Sequence, residues 1–349
     1  LDSADPNRLK EGTVVGKLGR LAVAVLSAIV LSAAWPQAKN LIYDKEGIKE
    51  SAVATLLPQG LHVGRTPHFV GAWGEAGIKP GQFLQPWNIA IDPDDNLYVL
   101  DQKLNWVQKF TREGKLLNYF GGQGSAVRQF RKPHDLKIDR QGCIWVVDMA
   151  NHRIQGFAEA EEGVRQCGKF GGEAGEFSFP MGIVIDSQGN FYVTDRENSR
   201  VQKFDQQMRF IKQWGTAGSK PGEFDRPGAI AIDRQDNIYV LDRFNYRVQK
   251  FDSDGNFLLD WGTHFMKGGN FEALSGLAVG PDDTVYVADA GRNRIFRFDS
   301  QGRPLGWFGS RGDGPGQFKV PYGMAFDSRG HLFIADGFNR RIQEWAYPE

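Results

Sequence analysis

The sequence predicts an all-β fold, a six-bladed β-propeller of four-stranded antiparallel blades. One motif recurs six times: DQKLNWVQKF from Asp101, DMANHRIQGF from Asp148, DRENSRVQKF from Asp195, DRFNYRVQKF from Asp242, DAGRNRIFRF from Asp289 and DGFNRRIQEW from Asp336. Successive Asp residues are 47 apart every time. At such a period each unit is one supersecondary module that buries its faces against its neighbours. The 43 glycines and 12% aromatic content suit short strands, tight turns and large side chains between stacked sheets.

The fourth repeat shows the elements in order. GAIAID (Gly228–Asp233) alternates small and apolar residues, as an inner strand does. RQDN turns the chain into IYVLD (Ile238–Asp242), the second strand. RFNY turns it again into RVQKFD (Arg247–Asp252), the third. SDGN leads to FLLDWG (Phe257–Gly262), the outer strand. Between blades runs a Gly- and Pro-rich linker, clear in Trp73–Pro86, Trp214–Pro227 and Phe308–Pro321.

Outer strands end in an aromatic residue and a glycine at Phe120, Phe170, Trp214, Trp261 and Phe308, which is one short of six. The sixth copy has no outer strand of its own, and the matching segment, HFVGAW, precedes the first repeat. Residues 68–73 are therefore expected to complete the last blade, which removes an open edge.

The propeller is assigned to 68–349. Ahead of it, residues 21–35 (LAVAVLSAIVLSAAW) carry no charge and follow Arg8, Lys10, Lys17 and Arg20. With Lys17 snorkelling, the stretch 14–35 is long enough to cross a bilayer as one helix. The expected layout is a cytoplasmic tail at 1–13, a transmembrane anchor at 14–35, and a linker at 36–67 with a short helix around Lys45–Leu57. A cleaved secretion signal is the alternative for the apolar stretch. Either reading puts the ring on the extracytoplasmic side, periplasmic or at the cell surface.

Lys plus Arg and Asp plus Glu both number 42, so no net positive charge favours nucleic acid, and no nucleic-acid partner is expected. Cys143 and Cys167 fall on the second and fourth strands of one blade, about 9–10 Å apart. A disulfide needs Cα atoms closer than about 7 Å, so two free thiols are expected.

Asp-x-x-Asn-x-Arg followed by Val/Ile-Gln-x-Phe resembles the NHL repeat family over about residues 68–346. Copies one and five depart from it: Leu104 and Trp106 replace the Asn and Arg, and Arg292 takes the Asn position. The resemblance implies a six-bladed ring. It also implies one of several activities: a lyase-like enzyme acting on peptidyl-hydroxyglycine with zinc on three His, a sensor or scaffold held outside the cell by one helix, or an RNA-binding domain. The lyase-like positions follow the last linker residue, Pro in five copies and Leu274 in the fifth, and are here Trp87, His134, Met181, Gly228, Ser275 and Tyr322. Only His134 could be a ligand there, and His152 is a second candidate outside that set. Three-ligand, water-activating zinc is therefore not expected, nor any other metal or cofactor, and no catalytic residue is assigned.

The repeated Asp and Arg are read as structural ion pairs, and DPDDN (Asp92–Asn96) as a turn rather than a calcium loop. Function is sought in asymmetry. The linkers and second-to-third-strand turns should share one face, whose variable residues are Trp87, Asn88, Trp106, His134, Asp135, Met149, Met181, Arg196, Arg243, Phe244, Tyr246, Tyr322 and Phe338. Aromatic residues, Met and Arg are enriched in interface hot spots. The expected function is a protein-binding or scaffold subunit of a membrane complex. A lyase-like or other metal-dependent enzyme and a ligand sensor are the alternatives.

Overall fold

The computed structural model describes residues 43–44, 47–48, 66–158, 163–262 and 271–347. Among these no helix is long and apolar enough to cross a membrane. The expected anchor at 14–35 lies outside the described residues. The chain divides into two compact units, one of them containing residues 1–63 and the other the repeats. In the first, Tyr43–Asp44 pairs antiparallel with Gly47–Ile48. Gly47–Ile48, within the stretch expected as a short helix around Lys45–Leu57, is thus a strand, and the rest of that stretch lies outside the described residues.

The second unit is a six-bladed ring. Blade 1 comprises Pro86–Ile91, Leu97–Asp101, Trp106–Phe110 and Leu116–Gly121. Blade 2 comprises Asp135–Ile138, Ile144–Asp148, Arg153–Phe157 and Val164–Cys167, its outer strand ending at Cys167 before Gly168 rather than at the expected Phe170, and blade 3 Pro180–Ile185, Phe191–Asp195, Arg200–Phe204 and Phe210–Trp214. Blade 4 follows the strands read from its sequence to within a residue: Pro227–Ile232, Ile238–Asp242, Arg247–Phe251 and Phe257–Trp261. Blade 5 comprises Leu274–Val279, Val285–Asp289, Arg294–Phe298 and Pro304–Phe308. Blade 6 has Pro321–Phe326, Leu332–Asp336 and Arg341–Ala346, and its fourth strand is His68–Trp73. There Trp73 stands opposite Ile342 and Phe69 opposite Trp345. Cys143 and Cys167 do not form a disulfide.

Six apolar clusters fill the gaps between blades. One joins Tyr239, Leu241 and Val248 of blade 4 to Val285, Val287 and Phe296 of blade 5. Another joins Phe333, Ala335 and Ile342 of blade 6 to Ile89, Val99 and Phe110 of blade 1. Both faces of an interior strand are thus covered, which is why Val248, Gln249, Lys250 and Phe251 are all buried. Across the closing seam Arg112 of blade 1 pairs with Asp327, 2.9 Å, and with Glu344.

The repeated Asp ties each blade to the linker before it. Asp195 Oδ1 accepts from Ser178 N, 2.7 Å, and Oδ2 from Arg200 Nε, 2.8 Å. Arg200 donates onward to the linker carbonyls of Gly172, Glu173 and Glu176. Asp148–Arg153, Asp242–Arg247 and Asp336–Arg341 repeat the bridge at 2.8 Å. In copies one and five another residue caps the next linker: Asn105 Oδ1 accepts from Lys132 N and Asn293 Oδ1 from Val320 N, both 2.9 Å. The DPDDN segment is a turn in which Asp92 Oδ1 accepts from Asp94 N and Asn96 N.

Candidate functional site

Linkers and second-to-third-strand turns lie on one face, joined by backbone bonds such as Phe338 N to Lys319 O, 3.0 Å. The residues following each linker, Trp87, His134, Met181, Gly228, Ser275 and Tyr322, lie at or next to the starts of the inner strands. Trp87 stacks on Tyr322 with centroids 3.7 Å apart and planes 25° off parallel. It meets the His134 ring edge-on at 5.2 Å. Gln85 Nε2 donates to the Tyr322 hydroxyl, 3.3 Å.

His134, Asp135, Met181 and Tyr322 were expected as surface groups of this face, but they are buried, Met181 at 2% exposure and His134 at 6%. The ring is narrow at its axis, so side chains from several blades fill it. His134 Nδ1 donates to Met181 O across the blade boundary, 2.9 Å, which fixes the tautomer. Burial, aided by the charges of Arg243 and Arg196, depresses its pKa to about 3. An imidazole so committed and kept neutral is a spacer between blades 2 and 3.

One step deeper, Asn88 and Asp135 project into the channel. Asn88 Nδ2 donates to Asp135 Oδ1, 2.6 Å, and Ile183 N donates to Asp135 Oδ2, 2.9 Å. Burial pushes the Asp135 carboxyl up, while the Lys137 ammonium and backbone N–H groups pull it down. Lys137 Nζ reaches Asp135 Oδ1 at 3.3 Å. The sequence reading missed Lys137, although strand alternation places residue i+2 beside residue i. Gly323 faces Asn88 so closely that a Cβ there would lie 2.1 Å from Asn88 Oδ1. The space left among these groups, Ala229, Ser275 and Leu277 is about 10 Å³, the size of a single water.

The other predicted residues separate into two sets. Arg196 and Arg243 stand beside the plug, each following a repeated Asp. Phe244, Tyr246 and Phe338 project outward, at 47%, 40% and 58% exposure. Met149 opens a short 3-10 turn, Met149–Asn151, and is half-buried. Trp106 joins neither set. It replaces the bridging Arg and packs on Tyr119 of its own blade's outer strand, 5.3 Å away. His152 also lies outside the plug: its Nδ1 accepts from Phe179 N, 3.1 Å, between the rings of Phe170 and Phe179. Among the described residues no group of three His, Cys, Asp or Glu could hold a metal ion.

Three stretches, residues 130–157, 177–204 and 273–298, match the NHL repeat family model. No curated protein matches the chain. Among solved structures, a catalytically inactive virginiamycin B lyase from Staphylococcus aureus with quinupristin is 16% identical over 76% of this chain and 95% of its own, with a TM-score of 0.55. An auxiliary nutrient binding protein from Bacteroides ovatus is 15% identical, covering 82% of this chain and 78% of its own, with a TM-score of 0.60. A gluconolactonase from Xanthomonas campestris is 14% identical, covering 81% and 95%, with a TM-score of 0.55. At these identities the likeness is one of fold.

Proposed function

We propose that this chain, which carries NHL repeats closed into a six-bladed propeller, is a protein-binding or scaffold module. Residues 14–35 hold it to a membrane, the ring stands on the extracytoplasmic side, and the partner is a protein of a membrane complex. The observation that carries this reading is where the large apolar side chains are left exposed. Ile78, Val127, Phe170, Phe244, Tyr246 and Phe338 lie on the linker face, and Val70, Leu117, Tyr119, Phe210, Ile211 and Leu258 on outer strands. Among the described residues none lies in the turns of the opposite face. Exposed apolar groups on the linker face and the outer strands, and not in the turns of the opposite face, supply what a protein interface requires.

A lyase-like reading has less support. Of the six positions that would supply its His ligands, only His134 is an imidazole, and its Nδ1 is already bound to a backbone carbonyl. The Ser275 hydroxyl is likewise occupied, donating to Pro321 O at 2.7 Å.

Cross-linking in native membranes tests the proposal. Cross-links should fall on the linker face, and Phe244→Ala or Phe338→Ala should weaken capture of the partner by about 2 kcal/mol at a hot spot. Both are exposed, so melting should change little. Cross-links confined to the outer strands and residues 1–60 would refute the linker face as the docking surface.

A further inference from the structure

The residue after each repeated Asp forms a ring of six around the channel mouth: Gln102, Met149, Arg196, Arg243, Ala290 and Gly337. Two adjacent members are cations. Arg243 lies along Gly228, where a Cβ would stand 2.5 Å from its Cδ, and so reaches over the inner strand of its own blade. Its Nε donates to Leu274 O of blade 5, 3.1 Å. Gln102 makes the same crossing in blade 1, its Nε2 donating to Pro133 O at 3.3 Å. That bond occupies Nε only. Among the described residues no carboxylate pairs with Arg243, whose charge is opposed by burial and by Arg196.

Arg196 does not make the crossing bond. Its Nε is buried without a hydrogen bond and lies 3.2 Å from Glu197 Oε1, out of line with it. Glu197 is also shared with Arg226, 3.7 Å away. The bridging arginines behave differently, since Arg153, Arg200, Arg247 and Arg341 each bind an Asp and several linker carbonyls. Arg243, with a cation beside it and, among the described residues, no carboxylate of its own, is a costly resting arrangement that an added anion would offset.

We propose that Arg243 and Arg196 form an oxyanion-recognition site at the channel mouth, with the stacked Trp87–Tyr322 pair as its aromatic neighbour. The ligand group is a carboxylate or phosphate at the end of a molecule entering from the linker face. A terminal group suits this mouth, because the space below it, among Asn88, Asp135 and Ser275, is about 10 Å³, room for a single water. Guanidinium groups bind both oxyanions through paired N–H donors. The inference deepens the binding reading above and rests on it.

The test is titration of the full chain with benzoate and with phenyl phosphate at constant ionic strength, followed by calorimetry. One or both should bind saturably at 1:1, and which one binds distinguishes carboxylate from phosphate. Arg243→Gln should weaken binding by about tenfold or more, the loss expected for charge-assisted hydrogen bonds. Gln102 shows that an amide can make the crossing bond at this position, so this variant keeps the local fold. Arg196→Gln should weaken binding too, while Arg303→Gln, an exposed residue of the opposite face, should not. Equal affinity in Arg243→Gln and the parent chain, or no saturable binding of either probe up to about 10 mM, overturns the site. If the probes fail while Phe244→Ala still abolishes partner capture, the site is lost and the binding module stands. If Arg243→Gln loses the probe while Phe244→Ala and Phe338→Ala capture partner normally, the site stands and the linker-face protein interface is lost.

Discussion

Ring closure should depend on Trp73, and the cost of removing it follows from its surroundings. Its ring lies 4.9 Å from that of Phe110 in blade 1 and 6.1 Å from that of Phe83 in the linker before it, while its backbone pairs with Ile342 of blade 6. It also presses on Gly114, where a Cβ would lie 2.5 Å from the indole. One side chain therefore fastens the first described strand of the ring to the last and packs them on the next blade. Full removal of a core Trp costs about 3–5 kcal/mol. Trp73 is half-buried, so Trp73→Ala should cost about 3 kcal/mol, seen as a drop of about 6–12 °C in Tm. Its indole N–H has no hydrogen-bond partner, so Trp73→Phe should cost about 1.5 kcal/mol or less, the loss of ring volume alone. Urea unfolding and thermal melts of the full chain measure both variants. If Trp73→Ala melts within a degree or so of the parent, or the two variants lose the same stability, the closure is held by something other than this packing.

Two further outcomes are expected. Arg200→Ala strips Asp195, fully buried, of its bridging cation, and should cost about 3–5 kcal/mol in urea unfolding, whereas Arg303→Ala at an exposed i,i+4 pair should cost about 0–1 kcal/mol; equal losses would remove the structural role of the repeated bridge. His134 sets a pH dependence: its pKa falls from 6.5 in the unfolded chain to about 3 in the native ring, so between those values the unfolded state binds the extra proton. Its contribution is fully present above about pH 6.5 and lost as pH falls toward 3, by at most about 4–5 kcal/mol. His134→Gln should therefore be relatively more stable as the solution is acidified from pH 7.5 to 5, and parallel pH profiles for the two chains would refute this.

The sequence by itself determined the ring. The 47-residue period, the alternation within the inner strands and the repeated Asp, with its Arg in every copy but the first, are local patterns read copy by copy. The closing strand was legible as well, because an outer strand missing from the sixth copy stands ahead of the first. Copies one and five could be recognised as departures, but not how they are repaired. That Asn105 and Asn293 cap the following linkers depends on where those backbones pass. The mouth was decided by tertiary structure alone. Alignment puts Trp87, His134, Met181 and Tyr322 in one column, and a column does not say which members meet across a narrow axis and bury one another. The same holds for Arg196 and Arg243. In sequence they occupy the turn that other repeats fill with Gln, Met, Ala or Gly, and only the approach of neighbouring blades shows the two guanidinium groups acting on one another, with Glu197 against Arg196 and, among the described residues, no carboxylate paired with Arg243. Side-chain burial and charge pairing are set by residues whole repeats apart, and ring closure is what brings them within reach.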